Sequence, residues 1–281
     1  MLSLTTQTKI KIAKLIFAAV LFSRRLAGKK SRGVFRRGDL QWELDLSEGI
    51  DLSIFLFGGF ERDVRKAYDR IINPGLIILD IGANIGAHAL PMALRAGPDG
   101  KVFAFEPTLF AVEKMRANLK LNPELNERIE IQHTLLNDGI SPPPDALPSS
   151  WSLARNSDPA AHPQHGGSYK SLGDVDVTSV DAFVERSGLS QLNLIKLDVD
   201  GNEWSVIQGA RNTLKTHSPV ILMEFAPDYD PPAFSSILEI FGELGYQAYS
   251  LDEKQNLPLD IEKLRRFIPK NGSINALLRV K

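Results

Sequence analysis

The sequence predicts an α/β fold with a mostly parallel sheet, and three features indicate it. The apolar run at residues 76–79 predicts a fully buried strand. A turn with glycines at Gly82 and Gly86 follows, and the apolar spacing of residues 87–94 then predicts a helix. Later apolar runs alternate with helical patterns, which is typical of a doubly wound sheet that binds ligands at the carboxyl ends of its strands.

The turn between this strand and helix differs from a phosphate-binding turn. The G-x-G-x-x-G pattern needs no acid before its first glycine, but here Asp80 precedes Gly82, Asn84 takes the middle position and Gly86 closes the turn. A carboxylate at that strand end repels a pyrophosphate but suits a ligand that carries an ammonium and a sulfonium. The alternative is an ordinary strand–helix unit whose glycines are only structural.

A second acid follows the next predicted strand. Twenty residues beyond Gly86, the apolar run at residues 102–105 ends at Glu106, which is placed to bind both hydroxyls of a ribose. Together the two acids predict S-adenosyl-L-methionine as the cofactor. Asp80, Gly82, Asn84, Gly86 and Glu106 are the expected contacts.

Four segments of the chain resemble the FkbM family of S-adenosylmethionine-dependent methyltransferases. Three of them are residues 80–86 (DIGANIG), 104–107 (AFEP) and 118–122 (NLKLN). The fourth, residues 195–203 (IKLDVDGNE), matches the family's K-x-D-x-E-G-x-E hallmark, with Asp200 where the family more often has Glu.

This resemblance implies both a fold and an activity. The fold would be Rossmann-like, of the class I methyltransferase type, with a mostly parallel seven-stranded sheet and an antiparallel last strand. The activity would be O-methylation of a hydroxyl on a sugar, glycan or natural product. The resemblance runs from about Trp42 to the C-terminus, and it does not identify the acceptor.

Composition divides the chain into three parts. Residues 1–38 form a basic amphipathic tail, residues 39–75 form lead-in strands and a helix, and residues 76–281 form the predicted methyltransferase domain. Residues 1–37 hold ten Lys or Arg and no acid, which leaves 23 basic against 34 acidic residues beyond them, a net charge of −11. An acidic body argues against nucleic-acid binding through a broad basic face. The absence of cysteine excludes a thiol nucleophile.

The basic tail has two interpretations. Ile12, Leu15, Ile16, Ala19 and Phe22 fall on one helical face. The tail is either a surface helix or poorly ordered leader, or a helix that lies on an anionic membrane. We therefore expect a cytoplasmic protein and consider peripheral membrane contact. No apolar run reaches 18 residues, and the arginines after the apolar run argue against a secretory signal.

Residues 141–172 interrupt the alternation of strands and helices. Six of the 17 prolines lie here, together with His165 and the pair Gly166-Gly167. The segment follows the third predicted strand, so it is either a lid over the substrate or an insertion without chemistry.

Three further residues are candidates for the cofactor site. Glu61 either lines the cofactor pocket or is an acid favoured by the dipole of a helix start. Asn137 and Asp138 follow the third strand, where the loop of this fold usually meets the adenine.

Asp198 is the first candidate for catalysis. It ends the fourth buried strand, and a hydroxyl acceptor must lose its proton to a nearby carboxylate, histidine or metal-bound water. Asp198, Asp200 and Glu224 form a candidate Mg²⁺ site, since that ion prefers oxygen ligands. His165 is the alternative base. Structural roles remain open for Lys196 and Glu203.

Other activities are less consistent with the sequence. Enzymes that methylate DNA amino groups carry an Asn/Asp-Pro-Pro-aromatic loop after the fourth strand. Residues 198–201 at that position read DVDG, so methylation of a base is not expected. A non-catalytic protein that keeps the fold, binds the cofactor and docks on a membrane or partner remains an alternative. A nicotinamide oxidoreductase is a more distant one.

Overall fold

The computed structural model describes residues 6–153, 167–269 and 272–281, without the side chains of residues 6–11 and 150. The helices are α1 (Thr6–Leu26), α2 (Gly49–Phe57), α3 (Arg62–Ile71), α4 (Ala89–Ala96), α5 (Leu109–Lys120), α6 (Val180–Arg186), α7 (Glu203–Gln208), α8 (Arg211–His217), α9 (Pro231–Glu243) and α10 (Ile261–Leu264). The strands are β1 (Arg32–Arg37), β2 (Leu40–Asp45), β3 (Ile77–Ile81), β4 (Lys101–Phe105), β5 (Ile129–Gln132), β6 (Thr134–Leu136), β7 (Ala146–Ser150), β8 (Ser168–Ser171), β9 (Asp176–Thr178), β10 (Leu194–Leu197), β11 (Val220–Phe225), β12 (Tyr246–Ser250), β13 (Asn256–Leu257) and β14 (Ile274–Val280).

The main sheet has the strand order β5-β4-β3-β10-β11-β14-β12-β13. The first five of these strands pair in parallel, and β14 is inserted antiparallel between β11 and β12. The predicted mostly parallel sheet with an antiparallel last strand is therefore confirmed. The eighth strand, β13, has two residues at the edge of the sheet, too few for a recognisable sequence period.

Both faces of the sheet are covered, which explains the continuous apolar runs in its strands. On β3 and β4, Ile78 and Val102 belong to one apolar core, while Leu79 and Phe103 belong to the other. Successive side chains of a strand point to opposite faces, so the two cores lie on opposite sides of the sheet. The polar residues that follow these strands are consequently left at the carboxyl edge.

Two local predictions differ from the structure. The basic segment at residues 32–37, assigned to a tail, is strand β1 of an antiparallel hairpin with β2. The sequence predicts one helix over residues 203–214, but the structure divides it into α7 and α8 around Gly209, because the backbone of that residue packs against the Asn137 carbonyl. A Cβ at Gly209 would lie 2.1 Å from that oxygen.

The two ends of the proline-rich segment are ordered as a hairpin. β7 and β8 pair antiparallel, with Ala146 opposite Ser171 and Pro148 opposite Tyr169. Residues 154–166, including the candidate base His165, lie outside the described residues. Within the described residues, no helix has the length and apolar character needed to cross a bilayer.

Candidate active site

The glycine turn after β3 is held against the neighbouring strands. The backbone N–H groups of Gly82 and Ala83 both donate to the Phe105 carbonyl, at 3.0 and 2.9 Å. Gly82 has a φ of +82°, and a Cβ there would lie 1.8 Å from the Asp198 carbonyl oxygen. Only glycine fits this position, because it combines a left-handed backbone with close approach to the next strand.

Asn84 links the turn to the second predicted acid. It has a φ of +48°, a conformation that asparagine tolerates better than most residues. Its N–H donates to Glu106 Oε2 at 3.0 Å, and its side-chain amide donates to the Ser149 carbonyl at 3.1 Å. The turn, the end of β4 and the hairpin strand β7 therefore form one hydrogen-bonded unit.

Glu106 is buried at the end of β4 and lines the cavity described below. Its Oε1 accepts hydrogen bonds from the Thr108 N–H at 2.9 Å and the Thr108 hydroxyl at 2.6 Å. Burial raises the pKa of Glu106, and the hydrogen bonds from Thr108 and Asn84 act in the opposite direction. These donors fix the carboxyl group in orientation, and Oε2, which accepts the Asn84 N–H, keeps a second lone pair for a ligand hydroxyl.

Lys196 joins the ends of two central strands. Its buried ammonium lies 3.0 Å from Asp198 Oδ2 and 3.9 Å from Asp80 Oδ1. Burial alone would lower the pKa of Lys196, but the charges of Asp198 and Asp80 raise it, so the side chain is a cation. Asp80 is fully buried, and burial raises the pKa of its carboxyl group.

A second group of acids surrounds the end of β11. Burial and the charge of Asp198 raise the pKa of Glu224 to about 8, although the Ser273 hydroxyl donates a hydrogen bond to its Oε1. Burial and the charges of Asp198 and Glu224 also raise the pKa of Asp200. Glu203 accepts from the N–H groups of Val199 and Gly201, so it caps the turn after β10.

Glu61 belongs to a separate pair at the start of α3. Its Oε2 lies 3.3 Å from His88 Nε2, and Asn275 donates to its Oε1 at 3.3 Å. Burial would raise the pKa of Glu61, but its hydrogen bond and charge interaction with His88 and the charge of Lys196 lower it. Glu61 adopts a left-handed backbone, with φ +42°.

One cavity of about 290 Å³ connects these groups. Gly82, Ala83, Asn84 and Glu106 line one end. The acids after β10 and β11 line the opposite end together with Tyr229: Asp198, Asp200, Glu224 and Asp228. Trp151 also lines the cavity, but it shares a smaller pocket with Asn84 and Ser149.

The predicted site residues divide into three groups. Glu61, Gly82, Asn84, Glu106, Asp198, Asp200 and Glu224 line the cavity. Asp80 and Gly86 lie behind it: Asp80 pairs with Lys196, and a Cβ at Gly86 would lie 2.5 Å from Leu90 Cδ1. Asn137 and Asp138 are hydrogen-bonded within their own turn, to Gly139 and Ser141.

The candidate metal site on Asp198, Asp200 and Glu224 is not supported. Within the ranges that the structure describes, no three His, Asp or Glu side chains are arranged to hold a metal ion. Asp198 is instead held by the Lys196 ammonium, and Glu224 accepts the Ser273 hydroxyl. Asp198 and Glu224 are therefore engaged with protein donors, and a Mg²⁺ site on this cluster stays a prediction that the described residues do not support.

Several residues in or beside the cavity were not among the site residues predicted from the sequence. His88 lies two residues beyond Gly86, and this position next to the glycine turn could have predicted that it lies at the cavity. Thr108 and Ser149 share a hydrogen bond of 2.7 Å between side chains 41 residues apart. Ser273 reaches Glu224 only because β14 pairs with β11, and no local pattern reports such a contact.

The strand order, the glycine turn and the acid after β4 define the class I S-adenosylmethionine-dependent methyltransferases. Gly82 and Asn84 line the cavity at the turn, and Glu106 presents carboxyl oxygens to it, so the residues present fit this cofactor. The sequence model described as "Methyltransferase FkbM domain" matches residues 80–248, more than half of the chain. The protein belongs to the FkbM methyltransferase family.

Two curated relatives are each similar to more than half of the chain. Hexuronic acid methyltransferase AglP of Haloferax volcanii is 28% identical over 179 residues, covering 63% of this chain and 67% of the relative. The 2-O-methyltransferase NoeI of Sinorhizobium fredii is 29% identical over 169 residues, covering 58% of this chain and 68% of the relative.

Solved structures are more distant. A methyltransferase FkbM from Methylobacillus flagellatus is 16% identical with a TM-score of 0.44, and the match covers 76% of this chain and 50% of that one. The chain thus spans half the length of that protein. An O-methyltransferase from Thermotoga maritima is 14% identical with a TM-score of 0.43, covering 92% and 81% of the two chains. The family assignment rests on the sequence match.

Proposed function

We propose that the protein transfers a methyl group from S-adenosylmethionine to a hydroxyl on a sugar, glycan or natural product. The observation that carries this proposal is the continuity of the cavity from Glu106 at one end to Asp198 and Glu224 at the other. The cofactor supplies an electrophilic methyl group on its sulfonium. Gly82, Asn84 and Glu106 would hold it, with Glu106 accepting hydrogen bonds from the ribose hydroxyls.

The chemistry of the far end supports a polyhydroxylated acceptor. Asp198, Asp200, Glu224 and Asp228 present carboxyl groups, which accept hydrogen bonds from hydroxyls. Tyr229 supplies flat apolar surface beside them, and sites that combine such surface with a few placed polar groups orient small ligands. The two relatives named for a hexuronic acid and for 2-O-methylation also support a sugar acceptor.

We infer that the acceptor hydroxyl belongs to a neutral group rather than to a uronate. In the described part of the chain, Lys196 is the lysine that lines the cavity, and it is already paired with Asp198 and Asp80. A carboxylate on the acceptor would enter a group of acids and be repelled.

Two carboxyl groups would act on the acceptor, one by orienting its hydroxyl and the other by accepting its proton. Asp198 is held by Lys196, so it would accept a hydrogen bond from the hydroxyl and orient the oxygen toward the methyl group. Such placement of the nucleophile supplies much of the acceleration in an in-line displacement. Glu224 would take the proton, because a carboxylate with a pKa of about 8 is a far better base than an ordinary one. His165 remains an alternative base from the sequence.

The test uses the purified full chain and labelled cofactor. Neutral glycosides and the matching uronates would be offered as acceptors, and the products analysed by mass for a methyl ether. We expect label on a hydroxyl of a neutral acceptor. Cofactor binding by calorimetry without transfer to any hydroxyl would contradict O-methylation, and faster transfer to the uronate would contradict the charge inference alone.

Asp198→Asn is the informative variant in this assay. We expect it to abolish turnover while the Kd for the cofactor stays near that of the wild type. Asp174→Asn, a change at an exposed aspartate outside the cavity, is the matched control and should retain activity. Retained turnover in Asp198→Asn would show that another group orients the acceptor.

A further inference from the structure

Helix α1 is apolar on two of its sides, and the residues that the structure describes cover only one of them. Phe17 is 6% exposed and packs in the main core, with Ala13, Val20 and Leu21 beside it. The outward side carries Ile12, Leu15, Phe22 and Leu26, which are 40%, 73%, 67% and 75% exposed. With the exposed Ala19, their spacing of three and four residues places them in one stripe along the helix. We call these five residues the outward stripe.

Arg24 attaches the end of this helix to an aromatic cluster of the folded body, where Arg37 of β1 also lies. The Arg24 guanidinium lies 5.0 Å from the Phe35 ring and 5.5 Å from the Phe55 ring, and it donates to the Lys30 carbonyl at 2.8 Å. Arg37 lies 4.5 Å from the Phe55 ring on the same cluster. These contacts and the burial of Phe17 hold the outward stripe in a fixed orientation on β1 and α2.

The charge around the outward stripe is of one sign. Arg25, Lys29 and Lys30 are exposed where the helix ends, and no Asp or Glu occurs in residues 1–37. Pairing with a second copy through this stripe would bring two positive helices together, without the opposite charges that flank helix-pairing seams. An anionic bilayer offers apolar depth for the stripe and negative charge for the flanking cations.

From this arrangement we propose that the outward stripe of α1 and its flanking cations form a docking surface for an anionic lipid bilayer. The leucines and Phe22 enter the boundary between head groups and acyl chains, while Arg25, Lys29 and Lys30 lie at the head-group level. Each cation near such a surface contributes about five-fold to partitioning. This inference is independent of the acceptor and of the methyl-transfer chemistry.

The test is co-flotation of the full chain with phosphatidylcholine vesicles that do or do not contain phosphatidylserine. We expect binding to the phosphatidylserine vesicles, weakened by salt. Phe22→Glu/Leu26→Glu should reduce it at least ten-fold, and Lys29→Glu/Lys30→Glu should reduce it by a similar factor. Ile140→Glu alters a residue that is 90% exposed elsewhere on the surface, and it is the matched control that should bind as the wild type does.

Circular dichroism spectra and cofactor affinity should be the same in all variants. A loss of vesicle binding can then be attributed to docking rather than to misfolding. Equal vesicle binding by Phe22→Glu/Leu26→Glu and the wild type would overturn the proposal, as would a wild type that does not float. A wild type that is dimeric by light scattering and becomes monomeric in Phe22→Glu/Leu26→Glu would also overturn it, since a second copy would then cover the stripe.

Discussion

At the scale of single residues, one buried lysine decides how the site acids differ. The Lys196 ammonium lies 3.0 Å from Asp198 and 3.9 Å from Asp80, whereas Glu224 accepts a hydrogen bond from the Ser273 hydroxyl. Burial and the charge of Asp198 raise the pKa of Glu224 to about 8, so its carboxylate is a stronger base than an ordinary one. Two neighbouring acids can therefore orient an acceptor and remove its proton.

The first residue-scale prediction concerns cofactor affinity. Glu106→Ala removes the carboxyl group expected to bind the ribose, so S-adenosylmethionine binding should weaken by about 1.5–3 kcal/mol, the range for hydrogen bonds to a charged group. Calorimetry on the folded variant measures it. Glu130→Ala, at an exposed position of the neighbouring strand β5, is the control. An unchanged Kd in Glu106→Ala would exclude the ribose assignment.

The second concerns the pH profile of turnover. If Glu224 is the base, it is protonated and idle below a pKa of about 8, so kcat/KM should rise with pH and level off above that value. Ser273→Ala removes a hydrogen bond that lowers the pKa of Glu224, so the inflection should move to higher pH. Glu224→Gln should lose the inflection together with most of the activity. A Ser273→Ala profile unchanged from the wild type would argue for a different base.

At the scale of elements, the packing of β3 against β10 leaves no space for a side chain in the turn. The Asp198 N–H donates to the Ile81 carbonyl at 3.1 Å, which brings the two strand ends together. The carbonyl of Asp198 consequently occupies the place where a Cβ of Gly82 would lie.

Alanine substitutions at two glycines should distinguish the cost of this crowding from the cost of backbone strain. Gly75→Ala, at φ +87° with no atom within 4 Å of the new Cβ, should cost only the left-handed strain of about 1–2 kcal/mol. Gly82→Ala, at φ +82°, adds a collision with the Asp198 backbone and should cost about 3 kcal/mol or more. Urea unfolding of both variants gives the comparison. Equal losses would show that the turn can move away from β10.

The elements differed in how well the sequence predicted them. Strands β3, β4, β10 and β11 are continuous apolar runs buried on both faces, and this burial is visible as a pattern. The α7–α8 break and the Ser273–Glu224 contact depend on the approach of distant segments, at Asn137 and at β14. Glycine spacing and strand-end acids identified the turn and Glu106, but the sequence did not indicate that Asp80 faces Lys196 behind the cavity.

At the scale of the whole molecule, the buried acids set the pH dependence of stability. Burial raises the pKa of several carboxyl groups: Glu48, Asp51, Asp80, Glu106, Asp200, Glu203 and Glu224. Each of these groups holds its proton more tightly in the folded state than in the unfolded state. Their stabilising contribution is therefore complete below the unfolded pKa of about 4.5 and is lost as pH rises through each folded pKa.

The expected outcome is a Tm that falls between pH 6 and pH 9. Glu61 and Asp45, whose pKa values are lowered, oppose this trend only at acidic pH. Glu224→Gln should flatten the upper part of the curve, because its folded pKa of about 8 lies within that interval. Thermal scans in matched buffers measure both curves. A Tm that rises over the interval would contradict the assigned protonation of the cluster.

The hairpin of β7 and β8 makes the segment between its strands a site for protein engineering. Its root is bonded to the cofactor end of the fold, through Ser149 to Thr108 and through the Ser149 carbonyl to Asn84. Paired antiparallel strands hold their ends about 5 Å apart, a gap that loops of many lengths can bridge. Chimaeras that exchange the residues between Leu153 and Gly167 would thus inherit an intact cofactor turn, so the length and composition of this segment could be varied independently of cofactor binding.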